Sequence, residues 1–151
     1  MKKKFIQHFR AILRIFDREV ILQNNASCCN GISVAQCHTL LEIEKNSEIS
    51  ISDLAKTLSL DKSTVSRTVD GLVNINMVNR VIPKENRRLA IIKLKDSGKE
   101  LCSSINNTYD SYVREIFQDF TDEEAETFLR LFSRLTVNMT AHRGQKKEDV
   151  P

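Results

Sequence analysis

The sequence predicts a mainly α-helical chain that carries one small β-hairpin. Three observations lead there. Apolar residues recur at helical spacing along most of the 151 residues. Serine, threonine and aspartate stand just ahead of several of these periodic stretches, as helix N-caps do. Two short β-like runs, 78–82 and 89–94, flank a polar, basic tip, Pro83-Lys84-Glu85-Asn86-Arg87-Arg88.

A first helix is expected over residues 4–23, where Phe5, Phe9, Ile12, Leu13, Phe16, Val20 and Ile21 form a wide apolar stripe. It should end near Asn24-Asn25, with a loop through Asn30-Gly31. Ser33 and Gln36 form a capping box for a second helix reaching about residue 44. Ser50 or Ser52 starts a third, with Leu54, Ala55 and Leu58 turned inward, and Ser59-Leu60 makes the turn after it. Asp61 then caps a fourth helix. Its carboxylate can accept the orphan amide protons of the first turn. Val65, Val69 and Leu72 fall at i, i+4 and i+7 and should face the core. Ser63, Ser66, Arg67, Asp70 and Asn74 then lie on the opposite face.

After the hairpin, Asp96 or Ser97 opens a fifth helix expected to run to about residue 120. Ile105, Tyr109, Tyr112, Val113, Ile116, Phe117 and Phe120 make its apolar stripe. Thr121-Asp122-Glu123-Glu124 is a second capping-box signature. The sixth helix behind it carries Phe128, Leu129, Phe132, Leu135 and Met139. The polar tail, 143–151, is expected to be disordered. No internal repeat is visible.

Helix, turn, helix and then a hairpin with arginines at its tip is the winged helix-turn-helix pattern, with further helices at both ends of the chain. Its physics is a helix in the DNA major groove with cationic side chains beside it. Charge distribution agrees. The net charge is only +3, but residues 61–95 hold eight Lys/Arg against three Asp/Glu, while residues 96–136 hold four against nine. A basic middle beside an acidic helical part suggests one face for phosphates and another for something else. Lys62, Ser63, Thr64, Ser66 and Arg67 on the fourth helix, with Lys84, Arg87 and Arg88 on the hairpin tip, are the candidate DNA contacts. Small residues let a helix approach base edges, and Arg67 can offer a bidentate fork to guanine.

The terminal helices carry more apolar surface than a small winged helix can cover. A two-fold homodimer is therefore expected. Residues 1–30 and 96–142 would form its dimerisation helices, and 31–95 the DNA-binding lobe. Two recognition helices would then read a pseudo-palindromic operator in double-stranded DNA. An enzyme is not expected: the four glycines form no phosphate loop, and no nucleophile elbow or acid–base constellation is evident. No apolar run is long enough for a membrane span, and a cytoplasmic protein is the expectation. The competing reading is a winged-helix protein–protein module whose basic face meets an acidic partner, without specific DNA binding.

The chain resembles the MarR family of transcriptional regulators over nearly its whole length. The strongest portion is Ile51-Ser52-Asp53-Leu54-Ala55 through Leu60-Asp61-Lys62-Ser63-Thr64-Val65-Ser66-Arg67-Thr68-Val69-Asp70-Gly71-Leu72. It continues in Val78-Asn79-Arg80, Glu85-Asn86-Arg87-Arg88 and Leu94-Lys95-Asp96-Ser97-Gly98-Lys99-Glu100-Leu101. The resemblance implies a homodimer with one winged helix per lobe, usually a repressor of nearby genes. Ser63, Thr64, Ser66 and Arg67 match recognition-helix positions, and Arg87 matches the wing arginine of the minor groove. Asn86 departs from the family's usual aspartate and would hold the wing arginine without charge assistance.

What would modulate such a regulator is a separate question. Cys28, Cys29, Cys37 and Cys102 are not a structural disulfide framework in a cytoplasmic protein. In a family-like dimer the region of Cys28, Cys29 and Cys37 would lie beside the effector pocket. These thiols could converge on a thiophilic metal or metalloid such as trivalent arsenic. They could equally be oxidised, one thiol resolving another as a disulfide. Cys37 and Cys102 could also be small buried hydrophobes. A small aromatic acid or phenol is the third effector class the resemblance allows. No cofactor is required, and His8, His38 and His142 are too scattered to suggest a metal site.

Overall fold

The structure, a computed structural model, describes residues 2–26, 31–82 and 90–148. In chain order the elements are α1 (Lys3–Ala26), α2 (Val34–Asn46), β1 (Ile49–Ser50), α3 (Ile51–Leu58), α4 (Lys62–Asn74), β2 (Val78–Val81), β3 (Ile91–Leu94), α5 (Asp96–Ile116) and α6 (Asp122–Glu148). The mainly α fold with a small hairpin is as expected. The chain divides into two compact units, Met1–Tyr109 and Asp110–Pro151.

In the first unit, α2, α3 and α4 enclose one core with the sheet. Leu40, Ile43, Leu54, Val65, Val69, Leu72, Val78, Ile92 and Cys102 are all fully buried there. Each such Leu, Ile or Val side chain contributes about 1.5–3 kcal/mol relative to exposure. The capping box of Ser33 and Gln36 is present, Ser50 caps α3, and Asp61 caps α4. The α3–α4 turn closes because Ser59 takes a left-handed conformation (φ 55°), and Leu60 N–H then donates to the Ala55 carbonyl at 3.0 Å.

The sheet has a strand that the sequence did not reveal. β1 is two residues long, too short for an alternation to register, and pairs antiparallel with β3 through Ile49–Ile92 and Ser50–Ile91. The order is β1-β3-β2, so β3 lies between its two neighbours. Buried Val78 and Ile92 fasten the hairpin to the core. The strands are shorter than the expected 78–82 and 89–94, and Leu89 lies outside the described residues.

The start of α5 is tied to the turn before β2. Ser97 Oγ donates to the Asn76 carbonyl at 2.7 Å, and Lys95 N–H donates to the Met77 carbonyl at 3.0 Å. Gly98 is buried against that same carbonyl, and a Cβ built on it would stand 2.2 Å from Met77 O. Only glycine fits here.

In the second unit, α5 stops at Ile116 rather than near residue 120. Phe120 N–H bonds back to the Phe117 carbonyl at 3.0 Å, making a turn that sets the Phe117 ring 5.6 Å from that of Phe128. Ring packing across the turn competes with helix continuation. Thr121 and Glu124 form the expected capping box: Glu124 N–H donates to Thr121 Oγ1 at 3.3 Å, and Thr121 N–H to Glu124 Oε2 at 2.9 Å. α6 then runs to Glu148, so 143–148 is helical where disorder was expected. Gln, Lys and Glu are good helix formers, and polarity alone does not end a helix. Residues 149–151 lie outside the described residues.

Gly98→Ala should therefore destabilise the chain by about 1–3 kcal/mol through overpacking against backbone. Gly144→Ala, where an added Cβ meets nothing within 4 Å, should be neutral or stabilise by about 0.5–1 kcal/mol. Paired thermal or urea unfolding curves check this; equal midpoints would show that the turn yields.

Candidate nucleic-acid interface

The candidate interface is built on α4. Val65, Val69 and Leu72 hold one side of the helix in the core at 0% exposure, which turns Ser63, Ser66, Arg67, Asp70 and Asn74 away from it. Lys62, Ser63 and Arg67 are exposed, and Thr64 and Ser66 are half-buried. The sequence-predicted residues of this helix thus lie together along one surface.

Its N-terminal end has a defined polarity. Asp61 accepts from Thr64 N–H at 2.8 Å, from Thr64 Oγ1 at 2.7 Å and from the Ser63 hydroxyl. Those bonds, the Ser63 hydroxyl foremost, hold the Asp61 carboxyl well below the usual carboxylate range. Both hydroxyl protons are spent on the carboxylate, so outward Ser63 and Thr64 offer lone pairs. To donate to a phosphate, either hydroxyl must first leave Asp61. Arg67 folds back, its Nε donating to the Ser63 carbonyl at 3.4 Å. Among the described residues, neither Lys62 nor Arg67 forms an ion pair within 4.0 Å.

Other cations of the basic stretch are already engaged. Arg80 on β2 meets Asp70 at 2.9 Å and donates to Ser66 Oγ at 3.4 Å. Lys93 on β3 pairs with Glu48, and Lys95 bonds the Asn76 side chain. Counting Lys and Arg therefore overstated the charge open to a partner. In the sequence Arg80 is only part of a motif, because its partner lies ten residues back on another element. The tip residues Lys84, Arg87 and Arg88, with Asn86, lie outside the described residues, as do Cys28 and Cys29.

The other two cysteines are core residues. Cys37 is 1% exposed among Ile105, Ile32, Val34, Leu41, Leu101 and Tyr109, and Cys102 is fully buried. Burial pushes the Cys102 thiol up to about 11, with the Glu44 carboxylate and Cys37 adding to the effect. A thiol so placed is almost wholly protonated near neutrality and is a poor nucleophile. Among the described residues no group of three or more His, Cys, Asp or Glu side chains is arranged to hold a metal ion. Nor is any helix there long and apolar enough to cross a membrane.

Comparison with known proteins agrees with this geometry. Residues 32–89 match the model of the MarR family. The chain is 28% identical over 111 residues to YdgJ, an HTH-type transcriptional regulator of Bacillus subtilis, covering 74% of this chain and 68% of the relative. It is 29% identical over 102 residues to the HTH-type transcriptional repressor YetL of the same organism, covering 65% and 61%. Among solved structures, it resembles a mutant MarR of E. coli bound to operator DNA, with TM-score 0.71, 24% identity and coverage of 87% and 95%. It also resembles Streptococcus pneumoniae FabT in complex with DNA, with TM-score 0.77, 18% identity and coverage of 91% and 98%.

The cap makes a pH-dependent prediction. Because Asp61 titrates lower in the folded chain than unfolded, its contribution is complete above the ordinary carboxylate range and is lost as pH falls toward the lowered value. Asp61→Asn keeps a capping oxygen without the titration. Below about pH 4 the wild-type melting temperature should drop more steeply than that of the variant. Parallel profiles would mean the carboxylate charge adds nothing to the cap.

Proposed function

We propose that this chain, whose residues 32–89 match the MarR family model, works as a homodimeric DNA-binding repressor whose grip on a pseudo-palindromic operator is changed by an effector. The observation that carries this reading is α4 itself. Its apolar side is locked in the core, and it turns a small, polar, Arg-bearing surface outward beside a hairpin. In this reading Lys62, Ser63, Thr64, Ser66 and Arg67 meet the major groove and adjacent phosphates, and Lys84, Arg87 and Arg88 supply the wing contacts. Arg67 is the base reader.

Two bodies of apolar surface support a dimer. On α1, Phe5, Ile12, Phe16 and Ile21 are each about half exposed. In the second unit, Leu129 and Val137 of α6 are 63% and 66% exposed. Surface of that extent is costly in water and is ordinarily covered by a partner. A second copy covering it would also set two recognition helices ~34–36 Å apart, one turn of DNA. An effector would act by altering that separation. Thiophilic metalloids, oxidants and small aromatic acids are the classes to try. Burial of Cys37 and Cys102 makes Cys28 and Cys29 the thiols to vary first.

Fluorescence anisotropy of the reduced protein on its own upstream DNA tests the reading. Affinity should fall steeply with salt, by a logarithmic slope of about 0.9 per neutralised phosphate. A weak, salt-insensitive signal would favour a protein-binding winged helix instead. Arg67→Ala should cost about 1–3 kcal/mol on the operator and relax base preference; equal losses on operator and random DNA would remove it as a reader. Stoichiometric arsenite, then oxidants and aromatic acids, identify the effector class by a change in that affinity. Sedimentation velocity should give a dimer, and Leu129→Glu with Val137→Glu should shift it toward monomer.

A further inference from the structure

Arg80 is not among the residues expected to touch DNA, yet it joins the hairpin to the outward side of α4. It lies two residues after buried Val78 on β2, opposite Ile92 of β3. Its guanidinium reaches Asp70 at 2.9 Å and Ser66 Oγ at 3.4 Å, two residues one helical turn apart. Its side chain keeps 34% of its exposure. We propose that Arg80 is a positioning residue that fixes Ser66 as a hydrogen-bond donor toward the DNA, while Asp70 removes Arg80's own charge from the phosphate contacts. This rests on the DNA-binding reading above.

Donor and acceptor capacity fixes the direction of these bonds. A guanidinium can only donate, so Ser66 Oγ must accept from it. The single Ser66 proton is then left to point elsewhere. Thr68 on the same helix shows the alternative: its hydroxyl donates to the Thr64 carbonyl at 3.0 Å, and no such backbone bond holds Ser66 among the described residues. Beside Arg67, also a pure donor, Ser66 makes the middle of α4 a reader of acceptor atoms. In the major groove those are guanine O6 and N7, adenine N7 and thymine O4. The first turn differs, since Asp61 has taken the protons of Ser63 and Thr64. One helix therefore offers lone pairs at its start and donors at its middle. Asp70 does the rest: a cation already paired at 2.9 Å releases few counterions when DNA arrives.

The test measures operator and random-duplex affinity of the full chain over a potassium chloride series. Arg80→Ala should lower the operator-to-random ratio by about 10-fold with the salt slope unchanged. Ser66→Ala should give a similar loss, and the double variant little more than either alone. Asp70→Asn frees the arginine's charge and should steepen the slope on random DNA. Circular dichroism melts accompany each variant, and Ser66→Ala, which removes only a hydroxyl, keeps the comparison alive if Arg80→Ala unfolds. A random-DNA slope that flattens by about 0.9 in Arg80→Ala makes Arg80 a phosphate contact and overturns the proposal. Additive losses at Arg80 and Ser66 overturn it too. Failure of the wild-type protein to prefer any operator would instead sink the DNA-binding reading itself.

Discussion

The burial of Val65, Val69 and Leu72 is the constraint on which the rest of the molecule depends. A helix has one apolar side to spend, and α4 spends it on the core shared with α2, α3 and the sheet. That choice fixes its rotation, and rotation decides which residues can meet a partner. Neither Arg67 nor Ser66 needs a special conformation to face outward. They do so because their neighbours at helical spacing cannot.

Electrostatics then refine what rotation presents. The basic stretch holds more positive charge in the sequence than it offers in space, because Asp70 engages Arg80 and Glu48 engages Lys93. These are exposed or half-exposed pairs, and such contacts add little stability. Their larger effect is to set which cations remain open to a partner and which hydroxyls keep a proton. At Asp61 the same logic runs in reverse, with a carboxylate consuming two hydroxyl protons at the mouth of the helix. Hydrogen-bond direction, invisible in a list of polar residues, becomes part of the surface chemistry.

The local signals were legible in the sequence and the non-local ones were not. Ser33 with Gln36, Asp61, and Thr121 with Glu124 each declared a helix start, because caps act over three residues. The α4 stripe was legible for the same reason. β1 escaped because two residues carry no periodicity and exist as a strand only through pairing with β3. The early end of α5 escaped because it follows from ring contacts across a turn that does not exist until the chain folds. Arg80 belongs with these. Its meaning lies in Asp70 and Ser66, residues on a different element. For the cysteines, position alone could not show that Cys37 and Cys102 are buried, because that burial follows from the packing of separate elements.

Where α5 begins shows how the outward side of α4 is joined to the turn and hairpin of the first unit. Gly98 lets the helix start in direct contact with Met77 O, and Ser97 bonds Asn76 O, so the turn between α4 and β2 is held by the first residues of α5. β2 in turn reaches α4 through Arg80. Helix α4, the hairpin base and the start of α5 are thus linked by short backbone and side-chain contacts. A displacement of α5 at this end must be passed to α4 or break those contacts. A shift of α5 at this end would therefore reach the outward side of α4 through contacts already in place.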